Sequence, residues 1–173
     1  MPRTVPAPPF DLESLVPEFA GLARETVLLY PRAGSPGSRQ SSMGGPLLWP
    51  VHEPWPYCDQ PGHWTADVRP DAVPMVPVIQ LFARDVPWLE FPRGKDVVQL
   101  LWCPLIHEED PAGVVLPRLY WRNEDEMLSA GLLTDVPAPD EDDYEEEFVP
   151  RPCTVDPTLT ASVWPVRPEQ TSS

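Results

Sequence analysis

Cys58-x4-His63 and Cys103-x3-His107 place two short Cys/His pairs in one chain. Thiolate and imidazole are donors that zinc takes in tetrahedral sites, and two such pairs would supply a full set of four ligands. No Cys-x-x-Cys accompanies them. The pattern therefore also reads as two buried structural cysteines and two loop histidines. With Cys153 the chain has three cysteines, an odd and sparse set that makes no disulfide framework. Such usage fits a reducing compartment, and the cytoplasm is expected.

Other chemistries find less support. Cys58, His63 and Asp67 lie close along the chain, but nucleophilic triads are defined by geometry rather than by sequence proximity. Gly44-Gly45 lacks the spacing of a phosphate-binding loop; a tight bend with positive φ is the expected use of these glycines. Glu108-Glu-Asp110 and Glu124-Asp-Glu126 lack the staggered ligands and central glycine of a calcium loop, and read as solvated surface. No constellation marks a catalytic residue.

Trp49, Trp55, Trp88 and Trp102 could line a groove for a small or proline-rich ligand, with Gln80 as a ligand-facing amide. The competing reading packs these rings on the chain's own 27 prolines. Gln80 and Gln99 echo each other, each set among apolar residues in a predicted strand. A buried amide must be hydrogen-bonded, since an unmatched one costs about 1–3 kcal/mol. The main expectation for both is a core amide pinning neighbouring backbone.

The formal net charge is −15 over 173 residues. Seven acids sit in one run, at Asp140, Glu141, Asp142, Asp143, Glu145, Glu146 and Glu147. Without them, 20 acidic residues still outnumber 12 basic ones. Such a surface repels phosphate backbones and anionic membranes, so neither nucleic acid nor membrane is an expected partner. A basic protein would be attracted and steered. The acidic run, with Glu108, Glu109 and Asp110, is the candidate surface for it.

Positioning these residues falls to a chain rich in proline. That density disfavours long helices and favours short strands, turns and extended connections. Residues 1–9 read as a disordered start without an apolar signal core. No window approaches the 18 uninterrupted apolar residues of a membrane span. Phe10–Arg24 has apolar residues at helical spacing, capped by Asp11 and divided at Pro17 into two short helices that cover a core. Strands are predicted at 25–30, 75–82, 96–102 and 116–122 from their β-branched and aromatic runs. Pro77 and Pro117 must then sit at an edge, a bulge or a strand start. Residues 31–37 and 86–95 read as turns. One domain spans 10–137; an acidic linker and tail follow over 138–173, with an added strand near 151–156.

Gly44-Gly-Pro-Leu-Leu-Trp-Pro50, Glu53-Pro-Trp-Pro-Tyr-Cys58, Pro74-Met-Val-Pro-Val-Ile-Gln-Leu81 and Val98-Gln-Leu-Leu-Trp102 follow one another in order. Together they resemble the YwqG-like family of bacterial proteins, best over 40–103 and more loosely over 10–122. The likeness is to the actinobacterial branch, whose longer members carry a second half with a further Gly-Gly-Tyr-Pro element and a Cys-x-x-Cys-Gly motif. Neither occurs here, so the chain resembles the first half alone. The resemblance implies a mainly β, roll-like fold and no established activity. Its members occur near toxin loci, which implies an immunity-like role.

Three functions emerge: a non-catalytic protein-binding module, a zinc protein or enzyme using Cys58, His63, Cys103 and His107, and a small-ligand binder at Trp49, Trp55, Trp88 and Gln80. The expected fold is mainly β, a roll or an antiparallel α+β sheet with a short N-terminal helix.

Overall fold

Apolar runs with a β-branched bias become strands, and prolines decide where those strands start, bulge and end. A computed structural model of the chain describes residues 12–21, 23–59, 72–105, 107, 116–139 and 148–163. The protein is mainly β. Its principal sheet has six strands in the order β1-β8-β2-β5-β6-β7. These are β1 (Ala23–Ala33), β2 (Ser42–Met43), β5 (Val76–Phe82), β6 (Val97–Trp102), β7 (Pro117–Arg122) and β8 (Cys153–Val163). A second sheet pairs β3 (Tyr57–Cys58) with β4 (Val73–Pro74). The β2–β5, β2–β8, β5–β6, β6–β7 and β3–β4 pairings are antiparallel.

The chain divides into two compact units. One comprises 1–30 and 156–173. Its described elements are a one-turn helix α1 (Leu12–Leu15), a 3-10 turn (Pro17–Phe19) and the outer parts of β1 and β8. Pro17 divides the helical segment as expected, at the position where its missing N–H is harmless. The second half is shorter than predicted: it ends at Phe19, Gly21 follows with φ 75°, and Ala23 already belongs to β1. Nor is it a core-covering helix, since Leu15 is 65% exposed and no residue of the 3-10 turn is buried. Asp11, the predicted cap, and residues 1–9 lie outside the described residues.

The other unit, 31–155, holds the core. Pro77 lies at a register irregularity between β5 and β6, and Pro117 begins β7. Each proline thus occupies a place where no ladder donor is required. Pro31 was expected to open a turn, yet it continues β1; β1 is a sheet edge, where proline is tolerated. The strand anticipated at 151–156 runs on as β8 to Val163. The acid cluster that read as solvated surface opens helix α2 (Glu124–Ala130): Asp125 and Glu126 are exposed as expected, and of the three only Glu124 is buried. Asn123 caps it by accepting from the Glu126 N–H.

A proline-stiffened collar, residues 44–56, lies on this sheet. Its extended backbone sends alternate side chains into two clusters. Leu47 and Trp49 pack with Trp55, Met75 and Leu101. Leu48 packs with Phe82, Val97 and Met127. Gln80 and Gln99, both fully buried, hold the collar at Leu48. Gln80 Oε1 accepts from the Leu48 N–H at 2.8 Å, and Gln99 Nε2 donates to the Leu48 carbonyl at 2.9 Å. Two side chains thereby serve a residue that has no strand partner on that side, satisfying groups whose orphaning is costly. Gly44 starts the collar at φ 60° and donates its N–H to the Val78 carbonyl.

Candidate metal centre

Cys58 ends β3, Cys103 follows β6 directly, and His107 lies four residues further on. The collar brings β3 across the sheet to the end of β6, so residues 45 positions apart in sequence meet. Cys58 Sγ lies 3.6 Å from His107 Nε2. The three donor atoms of Cys58, Cys103 and His107 all fall within 4.8 Å of one another. Exposures of 1%, 0% and 4% place all three inside the protein. Val73 and Leu105 pack around the sulfurs, and Leu116 closes over them.

The electrostatics follow from that enclosure. A hydrogen bond with Cys58 and burial push the Cys103 thiol far above its ordinary range. Cys103 is thereby held as a thiol in an apolar shell; a cation at that point would expel its proton, as thiophilic ions do when they bind cysteine. The geometry fits such an ion. With Zn–S near about 2.3 Å and Zn–N near about 2.05 Å, a tetrahedral site separates a sulfur and a nitrogen ligand by about 3.6 Å. Closure to a substrate sets the group apart from a nucleophile–base pair.

Of the four residues anticipated from sequence, the structure brings Cys58, Cys103 and His107 together. His63 lies outside the described residues, as do Asp67, Glu108, Glu109, Asp110 and the run Asp140–Glu147. Cys153 stands apart in β8, and no disulfide joins any of the three cysteines.

The anticipated tryptophan groove does not form. Trp49 and Trp55 are 1% and 5% exposed, with ring centroids 5.0 Å apart. Their indole N–H groups donate to the carbonyls of Glu53 and Met75. Gln80 is consumed by backbone, its Nε2 donating to Ser38 and Gln40 carbonyls. Trp102 donates to the Phe148 carbonyl, and Trp88 alone of the four is largely exposed, at 47%. Large aromatics with one polar atom satisfy the core and their own N–H in this way.

Two charged groups were not anticipated. Arg122 donates to both oxygens of Glu53, at 2.5 and 2.6 Å, and to Gln99 Oε1 at 2.9 Å. Its guanidinium lies over Trp49 and Tyr120. The Arg122 hydrogen bonds, opposed by partial burial, hold the Glu53 carboxyl below its ordinary value. Glu124, read as surface, is nearly buried and bridges Arg39 and Arg84 at 3.0 and 2.5 Å. Burial pushes its carboxyl up, but the hydrogen bonds and charges of the two arginines outweigh that and leave it lowered.

No family model matches this chain, and no curated protein matches it. No helix among the described residues is long and apolar enough to cross a membrane.

Proposed function

We propose that this protein binds one zinc ion through Cys58, Cys103 and His107, and that the ion is structural. The observation that carries this reading is the 3.6 Å spacing of Cys58 Sγ and His107 Nε2 within a buried three-donor cluster. An ion there would fasten the β3–β4 pair to the end of β6. Two thiols and an imidazole select zinc over magnesium or calcium, which take oxygen ligands. Elemental analysis of protein purified without chelators tests it. One zinc per chain, lost in Cys58→Ser, is the expected result; metal-free protein after zinc reconstitution and desalting would overturn it.

A second reading is protein binding by the acidic surface, with an immunity-like role as the resemblance over 40–103 implies. One observation favours it: five of the cations, Arg39, Arg84, Lys95, Arg118 and Arg122, are already paired with carboxylates of the chain. They leave much of the surplus negative charge available to a basic partner. Pull-down from cytoplasm at low and high salt tests this: a stoichiometric basic partner released by salt is expected, and none at either salt would sink it.

A further inference from the structure

A cleft of about 150 Å³ opens beside the collar, far in character from the buried thiols. It is bounded by the turn after Pro50, by Lys95 at the approach to β6, by the end of β7 and by α2. At about 30 Å³ per water, the space holds roughly five waters. A ligand of that size is an amino-acid-sized molecule.

The charges on its lining alternate. Arg122 and Glu53 form one pair, Lys95 and Glu126 the other. With His52 counted neutral, the lining carries two cations and two carboxylates. The first pair is built in. Arg122 is only 12% exposed, is held by three hydrogen bonds and is stacked on two rings. Glu53 is 34% exposed and keeps lone pairs beyond the two that Arg122 uses. The second pair is loose: Lys95 Nζ and Glu126 Oε2 are 3.4 Å apart, and Glu126 is 73% exposed. An exposed pair of this kind is worth little, so a ligand can part it at small cost.

A simple anion in the cleft would meet two carboxylates, and a simple cation would meet Lys95 and Arg122. A zwitterion satisfies both, its carboxylate against Lys95 and its ammonium against Glu126 and Glu53. The wall between is apolar, from Trp121 and the buried Met127. We infer that this cleft binds a free α-amino acid with an aliphatic side chain. The site shares no residue with the thiol cluster and does not depend on a metal.

Titration of isotope-labelled full-length protein with L-leucine, followed by amide and indole chemical shifts, tests the inference. Saturable shifts confined to Lys95, the Trp121 indole and the 123–127 segment are expected. Isocaproate and isoamylamine, each lacking one of the two charges, should bind at least about tenfold more weakly. Lys95→Met and Glu126→Gln should each weaken leucine about tenfold while leaving the thermal midpoint in place. Absence of saturable shifts up to about 10 mM, equal binding of either half-ligand, or indifference to Lys95→Met would overturn it.

Discussion

Gln99 donates its side-chain amide to the Gln80 side-chain oxygen at 2.8 Å, with both residues fully buried. That single contact orders two amides so that one offers an acceptor and the other a donor to Leu48. Gln99 Oε1 is meanwhile turned to Arg122. Gln99→Glu keeps the shape but sets an oxygen against Gln80 Oε1 and the Leu48 carbonyl. It should cost about 2–3 kcal/mol, the scale of buried polar groups left unmatched. Gln80→Ala strands the Leu48 N–H and should cost a similar amount. Urea unfolding reads both, and a loss below about 0.5 kcal/mol, the range of an ordinary surface change, would mean the collar is held by other means.

Gly44 and Gly94 separate backbone strain from crowding. Both have positive φ, at 60° and 75°. A Cβ on Gly44 would lie 2.7 Å from the Pro150 carbonyl carbon and 2.8 Å from the Arg151 oxygen, whereas one on Gly94 meets nothing within 4 Å. Gly94→Ala should therefore cost only the left-handed penalty, roughly 1–2 kcal/mol. Gly44→Ala adds a collision with backbone that cannot rotate away, and should lower the melting temperature much further. Equal melting shifts for the two variants would deny the close approach of 44 and 150.

Acid should unfold the protein through Glu53 and Glu124. Both folded carboxyls titrate below the ordinary value of 4.5, so the folded state binds fewer protons than the unfolded one in that range. Stability from these pairs is complete above the unfolded value and declines as pH falls through the lowered folded values. A series of urea midpoints from about pH 7 to about pH 3 should decline on its acid limb. Glu53→Gln should make that decline shallower. Arg122→Lys should also weaken the fold at neutral pH, because lysine cannot make the bidentate contact and stack at once. An acid limb of unchanged slope in Glu53→Gln would show that its pairing with Arg122 contributes nothing.

Strands β5, β6 and β7 were legible because their apolar, β-branched runs are local signals. Pro77 and Pro117 then marked a bulge and a start by chemistry alone. Cys58, Cys103 and His107 were visible as two spacings. Their meeting was not, because it depends on where the collar lays β3 relative to β6. Glu124 was misread because an acidic triplet looks solvated until Arg39 and Arg84, 85 and 40 positions away, are found beside it. Asn123 followed three residues later by Glu126, with Gly131 at the far end, was a readable start and stop for α2. The cleft was hidden altogether, since three separate segments build it.

Zinc should couple to folding. An ion bound by the native Cys58–Cys103–His107 cluster and poorly by the unfolded chain stabilises by about 4 kcal/mol when its free concentration is 1,000-fold above the dissociation constant. A strong chelator should therefore lower the thermal midpoint of wild-type protein, and added zinc should restore it. Cys58→Ser, Cys103→Ser and His107→Ala should each lose the chelator response, whereas Cys153→Ser, a thiol outside the cluster, should keep it. Cobalt in place of zinc gives a second readout, since two thiolate ligands add a charge-transfer band that Cys58→Ser must weaken. A chelator effect that persists in Cys103→Ser, or disappears in Cys153→Ser, would place the ion elsewhere.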